Sequence, residues 1–191
     1  SSVLPARQHG IPVRLLNTMQ PDAPGTLISA RTGAEAIKAV AAKDGITAIN
    51  VKSSRMLLAH GFLRSLFEVF ERYRTSIDMI TTSEVAVSLT IDDSTRLPQI
   101  LEELRRFGTV EVDENQTIIC LVGNLLQDAH GAAHAAFAAL QDIPLRMISY
   151  GGSPNNISLL VKTEDKTRAL LALNEGLFRT PPQTLLGREG L

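Results

Sequence analysis

The chain has 191 residues, a formal net charge of −1, 4% aromatic residues and no tryptophan. Near-neutrality argues against a surface that tracks phosphates, and the scarcity of aromatic rings argues against a base-stacking platform. With 44% hydrophobic residues the sequence can build a core, and its length suits one full domain or two small ones. No run of about eighteen apolar residues is present to span a membrane, and the opening SSVLPARQHG lacks the apolar centre of a signal peptide. The single cysteine, Cys120, can form no internal disulfide, so a reducing, cytoplasmic compartment is expected.

In chain order, IPVRLLNT (11–18) and TLIS (26–29) read as two short strands. Between them Pro21 and Pro24 preset φ and Gly25 permits positive φ. A hairpin with no helix to cover it reads as the trailing edge of a domain cut away. Residues 34–45 are ambiguous. Ala, Glu and Lys favour a helix, yet Ile37 and Val40 make a poor apolar stripe, and Asp44-Gly45 is a hairpin signal. ITAINVKS (46–53) alternates as a strand, and 55–60 reads as a loop. From 61 to 74 an amphipathic helix places Phe62, Leu63, Leu66, Phe67, Phe70 and Tyr73 on one face. Residues 76–83 and 85–91 follow as strands. A helix running to about Phe107 then turns Leu97, Ile100, Leu101, Leu104 and Phe107 inward, with Pro98 tolerated in its first turn. Gly108 ends that helix, and 109–113 is a fourth strand. The order is βαββαβ, the split-βαβ plan.

Asp113-Glu114-Asn115 is expected to turn the chain into a second pass. This has a strand at 116–124, an Ala-rich helix at 129–141, strands at 145–151 and 156–162, and a helix at about 164–179. It echoes the first at a spacing of about seventy residues. His60-Gly61 recurs as His130-Gly131, Phe67 as Phe137, and 77–80 as 145–148. The fold class is therefore α+β: two ferredoxin-like units with antiparallel sheets and helices on one face. The second unit lacks a strand after its last helix, and the only spare candidate is 35–44.

No Walker loop, G-x-S-x-G, Cys-x-x-Cys or H-E-x-x-H occurs. His130 and His134 are four apart on a helix, but no third ligand is near, and a solvated face accounts for them better than a metal. The informative material surrounds the first helix's start. Backbone N–H groups there are free to take a carboxylate. Asp78 on the next strand could hold an ammonium group, with Thr82, Ser83 and Glu84 closing the turn beside it. An amino acid carries both charges. Against this, Asp78 could simply be an exposed residue on an edge strand. In the second pass Arg146 replaces Asp78, so the two units do not do the same thing there.

Phe62, Phe67 and Phe70 in the helix, followed by Ile77-Asp78-Met79-Ile80-Thr81-Thr82-Ser83-Glu84, resemble the first ACT domain of lysine-sensitive aspartokinases. RMISYGGSPNNISLLV (146–161) resembles the matching part of the second ACT domain, and 11–29 resembles the last strands of the amino-acid kinase domain. The resemblance implies that 1–33 trails a kinase domain, that 46–115 is a first, effector-binding ACT domain, and that 34–45 plus 116–180 form a second, interlocked one; the closing 181–191 reads from its own composition as a loose tail. It thereby favours strand over helix at 34–45. It also implies a homodimer through the ACT domains and L-lysine as effector, with threonine or a second effector open. The implied pocket is Met56, Gly61, Phe62, Leu63, Ile77, Asp78, Thr82, Ser83 and Glu84, with Asp78 on an ammonium group and backbone groups around Met56 and 61–63 on the carboxylate. ATP, magnesium and the catalytic residues are implied to belong to the absent kinase domain, leaving no cofactor here. An assembly module with no live ligand site is the main alternative. Nucleic-acid binding is disfavoured because the strands lack paired aromatics and basic loops.

Overall fold

The computed structural model describes residues 3–29, 37–54, 56, 60–123 and 131–178. The chain divides into two compact units, 1–35 and 36–191. In the first, a one-turn helix, α1 (Leu4–Gln8), precedes a hairpin of β1 (Val13–Leu15) and β2 (Thr26–Ile28), paired Val13↔Ile28 to Leu15↔Thr26. The sequence reading missed α1, a single turn started by Pro5, which favours a first helical turn. Gly25 is required at its turn. It has φ +65°, and an added Cβ would lie 2.3 Å from the Leu15 carbonyl oxygen.

The second unit is one antiparallel sheet with helices. Its elements are β3 (Ile37–Lys52), α2 (Phe62–Arg72), β4 (Ile80–Thr82), β5 (Ala86–Ile91), α3 (Leu97–Leu104), β6 (Thr109–Gly123), α4 (Ala132–Ala139), β7 (Met147–Ser149), β8 (Asn156–Lys162) and α5 (Lys166–Phe178), the last led in by a 3₁₀ turn at Thr163–Asp165. The strand order is β4-β5-β3-β6-β8-β7.

Two local expectations are corrected. Asp44-Gly45 makes no hairpin, and 113–115 makes no turn; each lies inside a long strand. Gly45 (φ +74°) and Asn115 (φ 55°) adopt the left-handed conformation that Gly and Asn tolerate best. The β3–β6 register shifts there, between Lys43 and Ile46 and again before Ala48. A bulge and a turn use the same residue chemistry, and the ladder on either side decides between them. The strand expectation for 34–45 holds over 37–45, while 30–36 lie outside the described residues. Helix propensity loses here because residues from Ile37 to Lys43 pair with β6, and Ile37 and Val40 pack on a core.

The bulges divide the sheet into two four-stranded halves. On one side β5 pairs with 47–52 of β3, and β6 pairs there through 109–113. On the other, 116–122 of β6 pair with β8, and β3 joins through 37–43. The first half reads βαββαβ from β3 to β6; the second runs βαββα from β6 to α5 and takes β3 as its remaining strand. α2 and α3 cover the first half over Ile49, Val51, Leu66, Phe70, Val87, Leu89, Ile100 and Leu104. α4 and α5 cover the second over Ile119, Leu121, Ala136, Leu140, Ile157, Leu159 and Leu173. Burying each large side chain stabilises the fold by about 1.5–3 kcal/mol relative to leaving it exposed. A third cluster, Ile46, Ala48, Met79, Ile118, Met147 and Leu160, draws on both halves. Leu63, expected inward, is 36% exposed, and Val69 is buried instead. Residues 76–79 do not join the assigned strand, so β4 is only three residues long.

Candidate functional site

Gly61 sits at the N-cap of α2 with φ +85°, and among the described residues no side chain caps the first turn. A Cβ on Gly61 would meet open space, so the glycine answers to the backbone angle alone. The first intrahelical bond runs from Ser65 N–H to the Gly61 carbonyl, leaving earlier N–H groups directed out of the helix. Phe62 is half-buried in an edge-to-face contact with Phe107, ring centroids 5.8 Å apart. Met56 and Ile77 pack against the same core as Phe62. Leu63 faces outward.

β4 is an edge strand, paired among the described residues to β5, with Thr82 opposite Val87. Ser83 donates its backbone N–H to the Ala86 carbonyl at 2.8 Å, forming the tight turn, and Glu84 is exposed on it. Upstream of β4, the Asp78 N–H donates to the Thr90 carbonyl at 2.9 Å, and the Met79 N–H donates to Thr90 Oγ1 at 3.0 Å. The backbone at Asp78 is therefore fixed although it lies outside the strand.

The Asp78 side chain has a partner that sequence reasoning missed. Lys43 Nζ lies 3.0 Å from Asp78 Oδ1 and 2.7 Å from Asp92 Oδ2. These bonds, Asp92 first and Asp78 second, raise the Lys43 pKa above its ordinary value, and Lys43 holds the Asp92 carboxyl below its own. Lys43 and Asp78 also line a cleft of about 270 Å³ with Ala41, Ala42, Met79, Ile118, Cys120 and Ser158. The half-buried Cys120 Sγ accepts from Asn156 Nδ2 and Ser158 Oγ, each at 3.9 Å.

The second half repeats this arrangement with its charges exchanged. The Arg146 N–H donates to the Leu160 carbonyl at 2.8 Å, as Asp78 does to Thr90. Arg146 Nε meets Asp113 Oδ2 at 2.7 Å. Asp113 pairs with Ala48 in the ladder and Lys43 with Ile118, so Asp113 and Lys43 hold equivalent places. A signal for this pair was present in the sequence: positions 43 and 113 are seventy residues apart, and both pairs reverse sign together.

The expected site residues thus fall into two groups. Gly61, Phe62 and Leu63 share the α2 turn, with Met56 and Ile77 packed on the core beneath it. Thr82, Ser83 and Glu84 line the β4 edge, and Asp78 faces Lys43. Arg55 and the loop at 57–59 lie outside the described residues, as does His130 of the histidine pair; among the described residues no cluster could hold a metal. Among them, too, no helix is long and apolar enough to cross a membrane.

Two helix-covered, four-stranded halves interlocked through shared strands define a paired ACT-type regulatory module. Residues 119–177 match the family model of the ACT domain. A solved chain from Porphyromonas gingivalis, described as a C-terminal regulatory domain of aspartate kinase, is 53% identical with TM-score 0.68, and the match covers 76% of this chain and all of that one. Escherichia coli aspartokinase III, solved in complex with lysine and aspartate, is 36% identical with TM-score 0.82 over 93% of this chain and 41% of that one. The chloroplastic aspartokinase 3 of Arabidopsis thaliana is 36% identical over 94% of this chain and 34% of its own length. Lysine-sensitive aspartokinase 3 of E. coli is 35% identical over 93% of this chain and 42% of its own length. The chain belongs to the aspartate kinase family and is a regulatory domain of it with the ACT fold; it spans a third to two-fifths of these curated relatives.

Proposed function

We propose that this chain senses an end-product amino acid, L-lysine, and thereby sets the activity of an aspartate kinase that transfers phosphate from ATP to the side-chain carboxylate of aspartate. The observation that carries the reading is the presence of a glycine-capped α2 start at Gly61 and a carboxylate at Asp78 in the same half of the sheet. Oriented N–H groups at a helix start favour an anion, and a fixed aspartate favours an ammonium. Lysine supplies both. The match of nearly the whole chain to a lysine-sensitive relative, and to a structure solved with lysine, supports it. The 46–115 segment is the effector unit, and 37–45 plus 116–178 form its partner. The open β4 edge suits a homodimer through the effector units. ATP and magnesium are assigned to the kinase part of the longer protein, in a reducing compartment such as the cytoplasm. Inhibition works through the difference between lysine's affinities for the inhibited and active forms, a coupling of about 1–3 kcal/mol.

Calorimetry of this chain with lysine, threonine and methionine tests the reading. Lysine is expected to give saturable heat, and Asp78→Asn to lose it while the oligomeric state stays as in wild type. Silence with all three amino acids would leave an assembly module as the answer.

A further inference from the structure

Resting on the reading that Asp78 receives an effector's ammonium, we infer that Lys43 is an internal competitor for that carboxylate and, with Asp92, sets the site's preference for a cationic ligand. One ammonium here serves two carboxylates, Asp78 at 3.0 Å and Asp92 at 2.7 Å. The cluster carries one negative charge more than it neutralises, so it accepts one further cation. The equivalent cluster in the second half does not: Arg146 meets Asp113 at 2.7 Å, the neighbouring Glu111 is paired with Lys52 at 2.8 Å, and the group is already neutral. The same position in the same fold is therefore open to a cation in one half and closed in the other.

Exchange at Asp78 is easy. Lys43 binds Oδ1, and when an incoming ammonium takes Asp78 it keeps its shorter bond to Asp92. The Asp78 side chain is 24% exposed and that of Lys43 49% exposed, so neither is sealed. Beside them the mostly apolar cleft is lined by Ala41, Ala42, Met79 and Ile118, with Cys120 and Ser158. An aliphatic stem ending in a cation fits such walls better than a hydroxyl-bearing one. Lys43 thus lowers affinity without abolishing it, and Asp92 raises it by relieving Asp78 of full commitment to Lys43.

Two variants move in opposite directions. Lys43→Met removes the competitor and leaves two unpaired carboxylates, so lysine binds about three- to ten-fold more tightly. Asp92→Asn leaves Lys43 with Asp78 alone and the cluster neutral, so binding weakens by about the same factor. The preference for lysine over norleucine, its isostere without the ε-ammonium, rises in the first variant and falls in the second. Asp113→Asn, which breaks the mirror pair, leaves affinity within about two-fold. Calorimetry on the whole chain reads all three, with circular dichroism confirming the fold. Unchanged or weaker binding by Lys43→Met, or unchanged binding by Asp92→Asn, overturns the assignment of Lys43 even where Asp78→Asn abolishes binding. Absence of lysine heat in the wild type, or undiminished heat in Asp78→Asn, overturns instead the underlying reading of the site.

Discussion

Substituting Gly108 tests how tightly the first half of the sheet is closed. Gly108 lies between the end of α3 and the start of β6. A Cβ placed there would stand 2.0 Å from the Lys52 carbonyl oxygen, 2.9 Å from its carbon and 3.1 Å from Ser53 Cβ. Ordinary carbon contacts fall at about 3.5–4.0 Å, so backbone must move by more than about 1 Å. Lys52 cannot yield freely, because it is paired to Ala86 on one side and Thr109 on the other. The next residue, Ser53, donates to the Val85 carbonyl at 2.8 Å. Overpacking costs about 1–3 kcal/mol, and each backbone hydrogen bond strained adds about 0.5–1.5 kcal/mol. Gly108→Ala is therefore expected to destabilise the chain by about 2–4 kcal/mol. Urea unfolding followed by far-ultraviolet circular dichroism measures this as a lower midpoint at constant slope. Gly152→Ala, where a Cβ meets nothing within 4 Å, is the control and should stay within about 0.5 kcal/mol. A Gly108→Ala variant as stable as that control would refute the close approach of β6 to Lys52.

The two bulges give a second test: Gly45→Val at φ +74° should cost about 1–2 kcal/mol, whereas Asn115→Gly at φ 55° should be neutral or slightly stabilising in thermal melts. An unaltered Gly45→Val melt would mean that the bulge slides along β3. Acid dependence gives a third. Glu103 accepts from Tyr73 Oη at 2.7 Å and is paired with Arg72, and these partners hold its carboxyl below the ordinary value. A carboxylate whose pKa falls on folding contributes stability above its unfolded value and loses it as pH drops through the folded one. Glu103→Gln should accordingly be less stable than wild type near pH 7, and the gap should close as acid protonates Glu103 in the folded state. A gap that persists in acid would assign the loss to packing rather than charge.

Most of the helix and strand order was legible, because period and punctuation agree over the helix at 61–74, the helix running to about Phe107 and the strands at 85–91 and 156–162. What failed was local chemistry with two uses. Asp44-Gly45 and Asp113-Glu114-Asn115 carry the residues of a turn, and only the ladder partner makes them bulges. The strand at 37–45 was recoverable from the missing fourth strand and from family resemblance, against Ala-rich propensity. The expected tie between Asp78 and an external ammonium did not foresee Lys43, since thirty-five residues separate them and only the shared β3 brings them together. The repeat carried that information in its sign reversal at 43/113 and 78/146.

That reversal explains why the halves differ in surface chemistry while keeping one fold. A lysine–aspartate pair and an aspartate–arginine pair are equivalent to the sheet, since attraction does not depend on which strand bears which sign. Apolar positions have no such freedom: Met79 and Met147 both stay 5% exposed in the shared cluster. Duplication could therefore invert the charges without disturbing the core, but inversion is not neutral for a ligand. A carboxylate near the surface at Asp78 can receive a cation, while a guanidinium at Arg146 repels one. Two copies of one scaffold, locked together by β3 and β6, thus present opposite charges at the same place, and only the first offers a carboxylate there.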